Sequence, residues 1–138
     1  MAKKKYSARY YAIKNGFRSN LEEVISNQLT KNNINFQYEN KANLVKYIKP
    51  ITNHTYLPDF KLSNGVIIET KGRFLLSDRK KHLLIKQQHP ELDIRFLFSN
   101  SNVKISKGSK TTYADWCTKN GFKFADKLIP QSWLEETK

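Results

Sequence analysis

Three residues near the middle of the chain have types and spacing suited to chemistry: Asp59, Glu69 and Lys71. They lie in the stretch from Tyr56 to Lys71 (Tyr-Leu-Pro-Asp-Phe-Lys-Leu-Ser-Asn-Gly-Val-Ile-Ile-Glu-Thr-Lys), where two short apolar-rich runs flank the turn residues Ser63, Asn64 and Gly65. That is the pattern of a β-hairpin. Glu69 and Lys71 stand two apart on its second strand, so both side chains leave the same face. Two carboxylates can hold a hard divalent cation, and an ammonium beside them can orient or polarise a water.

The turn decides whether the three groups meet. A two-residue type I′ loop at Asn64-Gly65 pairs Asp59 with Thr70, which turns Asp59 away from Glu69. A three-residue loop, with Gly65 left-handed as a bulge, pairs Leu62 with Val66. Counting back, Asp59 then pairs with Glu69 and Leu57 with Lys71, while Phe60 and Ile68 face the core. The chemistry favours the three-residue loop.

The remaining elements must position this hairpin. A chain of 138 residues makes one domain with a modest core. Its net charge of +13 and pI near 9.8 favour a polyanionic partner. No apolar run approaches the roughly 20 residues of a membrane span, and no signal peptide is visible. Cys117 is alone, and no Cys/His cluster has zinc spacing. The expectation is a soluble, cytoplasmic protein that faces nucleic acid and not membrane.

Residues 1–16 carry Lys3, Lys4, Lys5, Arg9 and Lys14 among Tyr6, Tyr10 and Tyr11, with no acid. This reads as a flexible basic arm reaching onto DNA, the alternative being a solvated tail. A helix begins at Ser19, where Glu22 has capping-box spacing and Leu21, Val24, Ile25, Gln28 and Leu29 form the apolar stripe. Glu22 can cap that helix or reach inward. Residues 34–39 alternate as a half-buried strand, and residues 45–51 form an extended piece that Pro50 keeps out of a sheet centre. After the hairpin, a helix capped by Ser77 or Asp78 runs to Gln88, with Leu83, Leu84 and Ile85 inward and His82 on its surface. Its Arg79, Lys80 and Lys81 make a basic face, which is either solvated or placed for phosphate. Residues 93–99 are apolar enough for an internal strand, which makes strand, helix and strand a crossover with parallel pairing. Lys104 and Lys107, in a polar loop, are further candidates for phosphate contact. A third helix capped by Thr111 or Thr112, a short strand at 122–124 and a last helical turn carrying Trp133 complete the chain. The fold class is a single α/β domain with a mixed central sheet and flanking helices.

Pro58-Asp59, nine intervening residues and Glu69-Thr70-Lys71 reproduce the PD-(D/E)xK pattern of metal-dependent nucleases. Phe17-Arg18-Ser19-x-Leu21-Glu22, Asn53-His54-Thr55-Tyr56, Asp78-Arg79-Lys80-Lys81-His82, His89-Pro90-Glu91-Leu92-Asp93 and Lys123-Phe124-Ala125-Asp126 extend the likeness. From Phe17 to Leu134 the chain resembles the phage endonuclease I family of T-seven-like phages. The resemblance implies a restriction-endonuclease-like core over residues 17–138. It implies a metal-dependent endodeoxyribonuclease that resolves four-way (Holliday) junctions and other branched DNA by paired nicks leaving 5′-phosphates. It further implies a domain-swapped homodimer with residues 45–52 as the bridge between subunits. Asp59 and Glu69 would ligate Mg²⁺ or Mn²⁺, one or two ions per site, with Glu22 joining them and Lys71 positioning water. Two other readings fit the residues: a nicking or restriction-type nuclease without junction selectivity, and a basic DNA- or RNA-binding protein without catalysis. The acid pair on a basic surface separates catalysis from binding, since it opposes phosphate unless a cation neutralises it.

Overall fold

The computed structural model describes residue 13 and residues 15–49 and 51–137. Lys3, Lys4 and Lys5 of the basic arm lie outside the described residues, as does Pro50.

The first helix, α1 (Asn20–Lys31), starts where the sequence places it. Ser19 accepts from the Glu22 N–H, and Glu22 Oε2 accepts from the Ser19 N–H at 3.1 Å. Strand β1 (Phe36–Tyr38) follows, then a two-stranded hairpin of β2 (Val45–Lys49) and β3 (Thr52–Tyr56). Next come β4 (Phe60–Leu62), β5 (Ile67–Lys71), helix α2 (Leu76–Gln88) and β6 (Ile94–Phe98). The chain ends with α3 (Tyr113–Lys119), β7 (Phe124–Asp126) and α4 (Gln131–Glu135). The main sheet has the order β1-β4-β5-β6-β7, antiparallel on the β1–β4–β5 side and parallel through β5, β6 and β7. It is a mixed sheet, and β5 and β6 flank the crossover helix as expected.

The hairpin register follows the three-residue loop. Phe60 pairs with Ile68 and Lys61 with Ile67, and the Leu62 N–H donates to the Val66 carbonyl at 2.9 Å. Continued by one step, this register sets Asp59 against Glu69. Gly65 has φ 86°, whereas Asn64 is not left-handed, so the type I′ loop is absent. Asn64 is also tied down by its side chain. Its Nδ2 donates to the Trp133 and Glu136 carbonyls at 3.0 and 2.8 Å, and its Oδ1 accepts from the Val66 N–H. Fully buried Arg95 holds the same C-terminal segment, with ion pairs to Asp93 at 2.7 Å and Glu136 at 2.8 Å. The turn that aligns the acids is therefore braced from the far end of the chain.

One face of the sheet packs Phe60, Leu62, Ile68 and Leu97 on Ile25 and Leu29 of α1 and Trp133 and Leu134 of α4. Elsewhere Phe96 and Phe98 pack with Phe74, Tyr113, Trp116 and Phe122, and Ile67 and Ile94 pack with Ile85 of α2 and Tyr47 and Tyr56 of the small hairpin. Burial of this kind is the main favourable term for the fold.

Several local expectations are corrected. Helix α2 starts at Leu76, before Ser77, because Asp78 at its third position accepts from the Leu75 N–H at 3.1 Å. Leu83 is exposed, since only Leu84 and Ile85 of that trio turn toward the sheet. Val24 is likewise exposed at the margin of the α1 stripe. The last strand sits at 124–126, where it pairs with β6, and not at 122–124. His82 is fully buried, edge-on to Tyr56 and Phe96, with neither ring nitrogen hydrogen-bonded among the described residues. The helix turns it inward to fill space between those two rings.

Candidate active site

Asp59 and Glu69 meet at the end of the hairpin, both buried. Asp59 Oδ2 accepts from the Thr70 N–H at 3.0 Å and the Thr70 hydroxyl at 2.9 Å. Glu69 Oε2 accepts from the Tyr56 hydroxyl at 2.6 Å and the Asp59 N–H at 3.4 Å, while Oε1 lies 3.4 Å from Lys71 Nζ. Burial first, then the charge of Glu69, push the Asp59 carboxyl up to about 8 against its two Thr70 bonds. Glu69 is also raised, by burial, although Lys71 and the Tyr56 bond act the other way. Burial opposes the charge on Lys71, but Glu69 and Asp78 outweigh it and hold the ammonium in its charged form. Asp78 Oδ1 lies 3.4 Å from Lys71 Nζ, so the start of α2 fixes the amine from its other side.

Glu22 enters from α1, where it caps the helix and also stands within reach of the other acids. Oε2 accepts from the Arg18 and Ser19 N–H groups at 2.8 and 3.1 Å and from the Tyr38 hydroxyl at 2.8 Å. That oxygen does the capping. Glu22, Glu39 and Asp59 each offer one ligand atom, and these atoms lie within 4.8 Å of one another. This is the only such group among the described residues, and it contains Glu39 in place of Glu69. An all-oxygen set of carboxylates, two of them buried and one of these, Asp59, resisting ionisation, fits a hard divalent cation.

Sequence reasoning missed Glu39. It reaches the site through the β1–β4 pairing: Tyr38 lies opposite Phe60, and the Glu39 N–H donates to the Asp59 carbonyl at 3.0 Å. No local pattern announces that non-local register. Tyr38 and Tyr56 were also missed as the phenols that hold Glu22 and Glu69.

The basic residues divide. Arg79, expected to contact phosphate, is buried, and its Nη1 donates to the Phe74 carbonyl at 2.7 Å and the Ile105 carbonyl at 3.2 Å. It ties α2 to Phe74 just before the helix and to the 100–110 loop beyond β6, and is withdrawn from solvent. Lys80 is exposed, and Lys81 is half-buried with its Nζ 5.2 Å from the Tyr56 ring centroid, close to the acids. Lys104 and Lys107 are exposed in the 100–110 loop. No helix among the described residues is long and apolar enough to cross a membrane.

Comparison with known proteins gives the class of the chain. It is 53% identical over 133 residues to "Endonuclease I" of Escherichia phage T7, covering 96% of this chain and 88% of that protein. It is also 53% identical over 122 residues to "Endodeoxyribonuclease 1" of Enterobacteria phage T3, covering 88% of this chain and 79% of that one. The protein is an endonuclease, an enzyme that acts on DNA. The family model described as Phage endonuclease I matches residues 1–138, and the chain belongs to that family.

Proposed function

We propose that the protein is a metal-dependent endodeoxyribonuclease that resolves four-way junctions and other branched DNA by paired nicks leaving 5′-phosphates. The observation that carries the catalytic part is the convergence of Glu22, Glu39 and Asp59, with Glu69 and Lys71 beside Asp59, on an otherwise basic protein. Asp59, Glu22 and Glu39 would hold Mg²⁺ or Mn²⁺, with Glu69 available to a first or second ion. A bound ion of this kind polarises the scissile phosphate and lowers the pKa of water. The chain's own residues do the rest. Tyr56 and the Asp59 N–H orient Glu69, Thr70 orients Asp59, and Tyr38 orients Glu22. Lys71, kept charged, positions the attacking water and offsets charge that develops on the phosphoryl oxygens. Lys80, Lys81, Lys104 and Lys107 supply phosphate contacts, and Lys3, Lys4 and Lys5 extend them.

The core assigned to residues 17–138 is of the restriction-endonuclease-like, PD-(D/E)xK type. Two symmetric cuts call for a homodimer, and we take residues 45–52 as its bridge, exchanged between subunits. The support is the corner between β2 and β3. Ile51 is fully exposed and has φ 80°, a left-handed conformation that a β-branched residue adopts only under strain. Short strained hinges invite exchange, because straightening the corner relieves the strain while the same contacts re-form with a partner. Each site would then take Glu22 and Glu39 from one subunit and Asp59, Glu69 and Lys71 from the other.

The test is incubation of a four-way junction and its matched linear duplex with Mg²⁺, then with EDTA. Selective, EDTA-sensitive nicking of the junction is expected. Equal cutting of both substrates returns the protein to a nuclease without junction selectivity, and binding without cutting returns it to a DNA-binding protein.

A further inference from the structure

Arg18 stands at the rim of the site and has no role in the reading above. Its backbone N–H is fixed to Glu22 Oε2 at 2.8 Å, which holds the residue's main chain against the acids. Its side chain is 76% exposed, and Nη1 lies 3.1 Å from Glu39 Oε1. Glu39 in turn belongs to the carboxylate group with Glu22 and Asp59. The guanidinium therefore sits on one of the acids that a cation would neutralise.

We propose that Arg18 is a substrate-binding residue of this nuclease, parked on Glu39 while the acidic group carries no cation. It is released to a DNA phosphate when a divalent ion takes Glu39's charge. The proposal rests on the metal-nuclease reading and adds a residue and a coupling to it. Its physical basis is a comparison of strengths. An exposed single-contact ion pair is weak and easily displaced. A divalent ion binds the same carboxylate more strongly and repels the guanidinium. Once free, the planar fork of arginine matches two oxygens of a phosphate, a geometry that lysine cannot offer. Arg18 thus links cation occupancy to substrate grip: the phosphate contact appears only when the site is loaded.

The test uses Arg18→Ala, Glu39→Gln and the double variant, with a fluorescently labelled four-way junction as probe. Affinity is measured against salt, in EDTA and in Ca²⁺ under conditions where no product forms. Glu39→Gln is isosteric and Arg18 is exposed, so the fold is undisturbed. In EDTA, Glu39→Gln frees the arginine: binding tightens about two- to five-fold, and the log–log salt slope steepens by about 0.9. Both gains vanish in the double variant. In Ca²⁺, Arg18→Ala on the native background flattens the slope by about 0.9. Full persistence of the Glu39→Gln gain without Arg18 would overturn the proposal, since Glu39 would then merely repel phosphate. An unchanged Ca²⁺ slope in Arg18→Ala would overturn it equally. A native protein whose DNA binding ignores Ca²⁺ altogether points instead to failure of the metal-site reading. In that case the coupling in EDTA still decides whether Arg18 is parked on Glu39.

Discussion

Replacing Asp59 by Asn should make the metal-free protein more stable, and more so as pH rises. The Asp59 carboxyl moves from its usual 3.8 to about 8 in the fold. Between those values the folded chain binds more protons than the unfolded one. The stability this group contributes is therefore fully present below the unfolded pKa and is lost as pH rises through the folded one. At 1.36 kcal/mol per pKa unit the whole interval corresponds to an upper limit of about 6 kcal/mol. Glu69 shares the penalty, and relaxation lowers it, so about 2–4 kcal/mol is expected. Asn retains an oxygen for both Thr70 donors and carries no charge. For a domain of this size that gain corresponds to a rise in Tm of roughly 6–12 °C at pH 8.5. The assay is thermal unfolding of both proteins in EDTA from pH 5 to 8.5. The gap between them should widen with pH, and Ca²⁺ should then raise the Tm of the native protein but not of Asp59→Asn. A gap that stays constant or closes as pH rises would mean that burial does not hold the Asp59 carboxyl above its usual range.

Three other outcomes follow from the same geometry. Tyr56→Phe removes the 2.6 Å bond to Glu69 and should weaken Ca²⁺ binding roughly 10-fold, read by calorimetry; unchanged affinity would make Tyr56 only a core residue. His82→Leu should leave stability unchanged or raise it by about 1 kcal/mol, because its two buried nitrogens have no hydrogen-bond partner among the described residues, and a loss above about 2 kcal/mol in denaturant melts would mean that they are bonded. Mixing Glu22→Ala with Asp59→Ala under co-refolding should restore single-strand nicking of a junction if sites are shared between subunits; a heterodimer confirmed by mass that does not nick rejects the exchange.

Much of the candidate site is legible in the sequence because its parts are local. Asp59, Glu69 and Lys71 lie within one hairpin, and the requirement that the acids share a face selected the loop that Gly65 adopts. Ser19 and Glu22 announced the start of α1 by spacing alone. What escaped depends on pairing distant segments. Glu39 joins the acids only through the β1–β4 register, and Tyr56 reaches Glu69 from outside the main sheet. Arg79 and His82 were misread for a related reason. On a helix with charges on most sides, only its packing against β5, β6 and the 100–110 loop decides which polar residues turn inward. Arg79 finds carbonyl partners there and His82 finds aromatic rings.

In the proposed function the hairpin acids serve the hydrolysis while the basic surface binds DNA. The most direct test of that division is single-turnover cleavage of an end-labelled four-way junction in Mg²⁺ by the native protein, Asp59→Ala and Glu69→Ala, with binding of the same junction measured alongside. Each variant should lose cleavage yet, with the cation removed by EDTA, bind the junction as tightly as the native protein, because the phosphate contacts come from the basic residues and not from the acids. Cleavage at the native rate by either variant would exclude that acid from the hydrolysis.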